Sequence, residues 1–457
     1  MLTEKASHQL KMHCVTMEDL VPQNHFLRKL ENVVDFSFIY DEVRDLYCEN
    51  NGRPCIDPAV LVKYLLVGYL YGIESERRIE QEIQVNMAYR WFLGLELDER
   101  APDHSTISQN RRRRWDGQNL YRQMFEHILH QCIEKGLVDG RIILTDSTHV
   151  KANASSKANI KVLVERETTD YMERLDRYEA AERIRLEEGG SIKPQRARRK
   201  QKATQPVEKT VSGTDPDAGM LKRPGKPEGM HYLSHQSVDS ANGIVVDVVV
   251  TPGNTGDSEP YLGRIEHMRE HLGLDIQLAG ADGAYGTSMV YQAMEDMGIQ
   301  LHTPMGSRSK TYKVELRRED FRYDEEQDCF ICPMGERLPL CSLEREQFNI
   351  CRVYRASRKS CRNCPMLEKC VSDSHRSRTI RVNIFEGAVK RQREMDGTPT
   401  HEHILALRQI WCEGSFAAQK WGHNLRRLTR RGKEAAESHC LLSATALNLK
   451  RMVRCLG

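Results

Sequence analysis

Long apolar runs are missing from this 457-residue chain. The longest, Ala59 to Ile73, is broken by Lys63 and falls short of the roughly 20 residues a bilayer span needs, so no membrane helix is expected. The opening residues 1–8 are polar and lack the apolar stretch of a secretion signal, which makes a cytoplasmic location the expectation. Net charge is nearly absent too, 68 basic residues facing 65 acidic ones. Overall charge therefore announces no polyanionic partner, and only local clusters can. Aromatic residues reach just 7%, yet 39% hydrophobic residues supply a core, and the length allows about two to four domains. Cysteine is what abounds. Fourteen are present, and Cys329, Cys332, Cys341, Cys351, Cys361, Cys364 and Cys370 crowd into one segment. Without a secretion signal, that crowding favours a metal site over a disulfide scaffold.

Residues 17–136 read as helical. Asp57-Pro58 is an N-cap followed by proline at the first helical position, and Val60, Leu61, Tyr64, Leu65 and Tyr69 recur at helical spacing. Ser75 opens a helix through Ile79, Ile83, Met87 and Trp91 that stops near Gly94. Beyond Pro102, Ser105 is the expected cap of a short helix carrying Arg111, Arg112, Arg113 and Arg114. Helix, turn and short arginine-faced helix suit a DNA reader whose arginines take phosphates; a solvated basic helix in a bundle is the alternative.

The segment from Arg141 to Asp146 reads as a buried apolar strand ending on a carboxylate. Residues 161–188 read as a polar helix that projects into solvent or packs weakly. A flexible stretch over 189–229 follows, with the basic run Lys193, Arg196, Arg198, Arg199, Lys200 and Lys202 as a candidate DNA contact. Two strand-like runs, 230–239 and 244–251, flank Asn242-Gly243, a strong hairpin signal. Asp257-Ser258 is the expected cap of a helix reaching about Gly273, and a strand from Ile276 ends on Asp282. A helix through Met289, Ala293 and Met297 then leads to a strand over 299–303. This order describes an α/β core in which an antiparallel hairpin joins parallel strands. The cysteine-rich residues 305–400 interrupt it, and a helix from about Glu402 to Lys420 resumes it. The tail pairs a basic stretch, Arg426, Arg427, Arg430 and Arg431, with the core leucines Leu441, Leu442, Leu447 and Leu449. His231, His235 and His302 read as ordinary core or surface residues.

Asp146, Asp282 and Glu413 are the acids to bring together. Two sit at strand ends, and Glu413 lies seven residues before Lys420, which on an α-helix puts both within roughly 20° of one face. Three convergent carboxylates repel one another, and divalent cations are the usual remedy. Ligands of oxygen alone suit Mg²⁺ or Mn²⁺. Two such ions can activate a hydroxyl and stabilise the leaving oxygen of an in-line phosphoryl transfer.

These motifs carry a resemblance. Thr145-Asp146-Ser-Thr with His149-Val-Lys-Ala-Asn153, Ala281-Asp282-Gly-Ala-Tyr285-Gly286, Glu413-x6-Lys420 and the Asp103–Arg111 stretch together resemble bacterial insertion-sequence DDE transposases of the Y-R-E-K signature group. The similarity spans nearly the whole chain. It implies an α/β fold with an RNase H-like mixed sheet flanked by helices. It implies a helical DNA-binding domain over 1–137, a core from 138–304 and 401–457 with an insertion at 160–229, and a cysteine-rich insertion at 305–400. It further implies cleavage at terminal inverted repeats dependent on Mg²⁺ or Mn²⁺, strand transfer into target DNA, a homodimer or higher oligomer on DNA, and nucleoid association. Asp146, Asp282 and Glu413 match the metal-binding triad. Tyr285 matches the tyrosine after the second Asp, and Lys420 the signature lysine. Both join Arg111, Arg112, Arg113, Arg114, Arg426, Arg427, Arg430 and Arg431 as expected DNA contacts. A metal-dependent nuclease without strand transfer and a non-catalytic DNA-binding regulator are the alternatives.

The chain also departs from that pattern. The group's Tyr and Arg stand seven and four residues before the Glu, where Ala406 and Gln409 are found. Arg408 is one residue off and would face elsewhere on a regular helix, while Glu402 and Glu434, as rival third acids, lack the lysine spacing. Among the thiols, Cys332-Pro-Met-Gly resembles the Cys-Pro-x-Gly turn of related transposases. Cys332, Cys361, Cys364 and Cys370 are therefore the favoured ligands of a structural Zn²⁺, with Cys329 replacing Cys332 or Cys370 as the rival set. Arg352, Arg355, Arg358, Lys359 and Arg362 make this insertion a candidate DNA-contacting surface.

Overall fold

The computed structural model describes residues 14–48, 55–155, 158–164, 169–192, 207–222, 228–306, 314–346, 348–371 and 376–457. The basic run from Lys193 to Lys202 lies outside the described residues. The first part is helical, with α1 (Phe26–Val33), α2 (Pro58–Leu70), α3 (Glu76–Val85), α4 (Met87–Leu93), α5 (His104–Asn110) and α6 (Leu120–Glu134). Asp57 caps α2 through the Ala59 amide, and Leu61, Tyr64, Leu65, Val67 and Leu70 are all buried, so α2 is the inner helix of the bundle. The expected helix from Ser75 to Gly94 is two helices. Asn86 ends the first, and its side chain accepts from the Ala88 and Tyr89 amides to start the second. Asp103, not Ser105, caps α5, accepting from the Ser105 amide at 2.7 Å. The arginine run then falls on a π turn, Arg111–Trp115, which sinks Trp115 into the core.

The central sheet is built on β1 (Ile142–Lys151), which continues through Asp146 instead of stopping there. Its antiparallel neighbour β2 (Gly229–Asp239) pairs from Ile143 opposite Asp239 to Lys151 opposite His231, and β3 (Val245–Pro252) is antiparallel to β2. On the other side β4 (Leu278–Ala281) and β5 (Gln300–His302) add in parallel. The order β3-β2-β1-β4-β5, three antiparallel strands followed by two parallel ones, is the RNase H-like arrangement the resemblance implies.

Helices α7 (Asp170–Glu188), α8 (Tyr261–Glu270), α9 (Ser288–Asp296), α10 (Pro399–Arg408), α11 (Gly414–Gly422) and α12 (Lys433–Leu456) complete the core. The polar helix expected over 161–188 begins only at Asp170, because Asn159–Val164 pairs as a strand with Val207–Ser212. Nor does α7 stand away from the protein. Tyr171, Leu175 and Leu186 are buried, and Glu182 receives Arg352 at 2.6 Å. Arg352 comes from a second sheet of five antiparallel strands within the cysteine-rich region: β6 (Arg322–Asp324), β7 (Cys329–Ile331), β8 (Arg337–Glu346), β9 (Asn349–Arg355) and β10 (Thr379–Asn383). Finally α12 lies between the helical region and the central sheet, its leucines Leu441, Leu442, Leu447 and Leu449 buried. The Asn448 amide grips the Val245 backbone, accepting from its N–H and donating to its carbonyl, each at 2.8 Å. Among the described residues no helix is long and apolar enough to cross a membrane.

Candidate active site

The pairing register sets the first two acids side by side. The parallel ladder of β1 and β4 ends at Thr145 opposite Ala281, so Asp146 and Asp282 each stand one residue past the last pair. Neighbouring strands lie about 4.8 Å apart, which brings two carboxylates to one edge of the sheet. Asp146 accepts from the Ser147 amide at 2.7 Å, and Asp282 accepts from Gly283, also at 2.7 Å.

Glu413 arrives on a π turn, Gln409–Glu413, that joins α10 to α11. A π turn spends one more residue than an α turn. Arg408, one position off in the sequence, is thereby turned to the same face as Glu413. Its guanidinium lies 2.9 Å from Asp146 Oδ2 and 3.7 Å from Glu413 Oε1, bridging the two acids. The expectation that Arg408 faces elsewhere is corrected by that extra residue. The group's Tyr has no counterpart even so, since the shifted position is Leu405.

Close packing fixes this helix on the sheet. Gly280 lets α10 approach β4, because a Cβ there would meet Ile404 Cγ2 at 2.7 Å. Gly243, with φ +74° in the Asn-Gly turn, leaves room for the Trp411 ring of the π turn. Further along, Gln419 and Gln236 of β2 exchange amide hydrogen bonds of 2.7 and 3.0 Å in the core. Lys420 donates to Thr148, two residues beyond Asp146 on the same face of β1, at 2.5 Å.

Burial pushes the Asp146 carboxyl up to about 6, and the nearby Asp282 and Asp257 carboxylates add to the rise; the Ser147 amide and Arg408 oppose it. Its side chain is 18% exposed. Asp257 was expected to cap a helix. That helix starts only at Tyr261, and Asp257 instead accepts from the Ser147 hydroxyl at 2.6 Å, a buried carboxylate just behind the site. Beneath it Arg264 binds Asp247 at 2.6 Å and Ser237 at 2.9 Å. No local pattern in the sequence marks Asp257 or Arg264, since both act through partners far along the chain.

Several expected contacts are placed differently. Tyr285 is fully buried, its ring 5.0 Å from that of Tyr261 and its hydroxyl 3.3 Å from His235, so its role is internal and not a DNA contact. Arg111 is buried against Glu76, whereas Arg112, Arg113 and Arg114 are exposed. Arg430 is paired with Asp116, while Arg426, Arg427 and Arg431 are exposed. His231, His235 and His302 are buried core residues.

The favoured thiols lie near one another, although no three of their sulfurs come within 4.8 Å of each other. Burial raises the Cys370 thiol, and Cys361, Cys332 and Cys364 each push it further. Cys329 is buried on β7 among Asp324, Arg337, Asp328 and Arg322. No cysteine is bonded to another. Among the described residues, Glu80, Asp103 and His104 alone bring three ligand atoms within 4.8 Å of one another. There Glu80 accepts from the His104 amide at 3.0 Å and lies 2.7 Å from its Nδ1, while Arg77 reaches its Nε2 at 3.1 Å.

Two families match the chain. Residues 15–113 match one described as Transposase domain (DUF772), and residues 331–453 match one described as Transposase DDE domain. The second match takes in Glu413, Lys420 and the four thiols; neither reaches Asp146 or Asp282. No curated protein matches. Among solved structures, the chain is similar to a Mos1 transposase paired-end complex at 11% identity, covering 56% of this chain and 61% of that one with a TM-score of 0.16. It thus spans about three fifths of the length of the Mos1 chain. A piggyBac transposase synaptic complex with hairpin DNA is similar at 10% identity, over 94% of this chain and 82% of that one, with a TM-score of 0.28. The chain thus matches a transposase domain near its start and a transposase DDE domain toward its end.

Proposed function

We propose that this protein cleaves DNA strands at the ends of its element and joins the freed 3′ hydroxyl to target DNA, with Asp146, Asp282 and Glu413 as the acids that hold divalent cations. The observation that carries this reading is proximity: β1 and β4 deliver two carboxylates side by side, and Arg408 links the first of them to Glu413 on the π turn. The three acids do not all lie within 4.8 Å of one another. The donor set is oxygen alone, which suits Mg²⁺ or Mn²⁺. A buried carboxylate whose anion is disfavoured by burial and by its neighbours gains from a cation beside it. When bound, such ions activate a water or hydroxyl and stabilise the leaving oxygen. Arg408 keeps the acids in register, and Lys420, docked on Thr148, adds a positive charge next to them that draws in phosphate. Exposed Arg112, Arg113, Arg114, Arg426, Arg427 and Arg431 extend this attraction along a DNA backbone, and two copies of the chain would hold the two ends.

The test is strand cleavage of a duplex bearing the inverted repeat, in Mg²⁺. Asp146→Ala and Glu413→Gln each abolish cleavage and retain DNA binding. Undiminished cleavage by either variant sinks the assignment, and cleavage without joining to target DNA makes the protein a nuclease.

The division into residues 1–137, 138–304 with 401–457, and 305–400 is part of the same reading. So is structural Zn²⁺ at Cys332, Cys361, Cys364 and Cys370, a set supported by the nearness of the other three thiols to Cys370.

A further inference from the structure

Trp421 is the most exposed large hydrophobic side chain among the described residues, at 78%. A tryptophan open to water on an otherwise well-packed helix calls for a ligand, since its ring offers a large apolar face that water solvates poorly. It stands one residue after Lys420, near the end of α11. The guanidinium of Arg426 lies 3.5 Å from the centre of its ring, covering one face by a cation–π contact. The side chain is 78% exposed even with that contact.

Both sides of this pair are anchored to the candidate site. Trp421 follows Glu413 by eight residues, about 12 Å along a helix. The segment holding Arg426 adds to the end of β1, the strand of Asp146: the Lys151 amide donates to the Arg426 carbonyl at 3.4 Å, and the Leu428 amide to the Lys151 carbonyl at 2.9 Å. The surroundings select the ligand's chemistry. Between residues 420 and 433 the chain has six cations, Lys420, Arg426, Arg427, Arg430, Arg431 and Lys433, and no acid. A ligand with a flat apolar face and an anionic backbone answers both features, and a nucleotide has both.

We propose that Trp421, backed by Arg426, is a stacking platform for one unpaired base of the DNA strand that enters the acidic site. The inference rests on the reading of that site as a DNA-cleaving centre. At about 3.4 Å per stacked base, 12 Å places the base within about four nucleotides of the scissile phosphate. Stacking on an aromatic ring tolerates any base, so the platform holds an opened strand without reading its sequence. Opening the duplex there costs less with a base captured by the ring.

The experiment is a double-mutant cycle on the full chain, using end-bearing duplexes that are intact or abasic at one of the four positions on either side of the cleavage site. Trp421→Ala weakens binding to intact DNA by about ten-fold, whereas Trp421→Phe loses far less. At one abasic position the Trp421→Ala loss disappears. An equal loss at every abasic position overturns the platform, as does no loss at all. Unchanged DNA binding with a shift in sedimentation assigns the ring to contact between copies instead, and also overturns it. Failure of the underlying reading looks different, because wild-type protein would then neither prefer end-bearing DNA nor lose cleavage on Asp146→Ala. At 78% exposure Trp421 can be replaced without unfolding the chain, and an unchanged melting temperature checks this.

Discussion

Asp146 holds its charge against its surroundings. Its folded-state pKa of about 6 lies above the ordinary 3.8, so between those values the native state binds the extra proton. Stability from this group is therefore greatest below pH 4, falls as pH rises to about 6, and is level above it. We predict that urea titrations show this decline in the wild type relative to Asp146→Asn, the difference growing by up to roughly 3 kcal/mol. An equal slope in both proteins would refute it. The three acids could be singled out from the sequence because apolar runs and the Glu–Lys spacing are local signals, although β1 runs on past Asp146 to Lys151. Asp257 was not, since Asp-Ser ahead of a helical run is a local capping signal, and nothing nearby tells of a bond to Ser147, 110 residues away. Residue type misled at Tyr285 and Arg111, whose chemistry suits DNA but whose side chains are buried.

Among the elements, the π turn decides how the third acid is presented. Its register depends on Trp411 lying against Gly243, where a Cβ would collide with the ring and the backbone is left-handed. Gly243→Ala should lower unfolding free energy by about 1–3 kcal/mol and reduce cleavage, read by urea denaturation and strand-cleavage assays. Wild-type values for both would show that the contact does not set the turn. A π turn has no short sequence signature, so Arg408 looked misplaced until the turn itself was visible. The cysteine element makes a separate prediction. Elemental analysis should find about one zinc per chain, and Cys361→Ser should lose it while Cys329→Ser keeps it. Loss of zinc in both variants would transfer the site to the rival thiols, which keep Cys361 and add Cys329.

The architecture of the whole molecule was readable further than its details. Alternation of strands and helices, with Asn-Gly at the hairpin, pointed to the mixed sheet, and the strand order bears that out. The five-stranded sheet inside the cysteine-rich region was not foreseen. Short strands mixing exposed charges with buried apolar residues, as in the β8 run Arg337–Glu346, give weak periodicity, and their pairing is settled only by long-range packing. One feature of the whole sets a condition on the chain's synthesis. Arg408 reaches Asp146 across 262 residues, and Glu413 lies later still. A polypeptide cut short between Asp282 and that helix would carry Arg112, Arg113 and Arg114 and two of the acids without a complete site. On the proposed function, such fragments would bind DNA without cutting it, so incomplete translation would yield competitors of the finished protein in place of weaker versions of it.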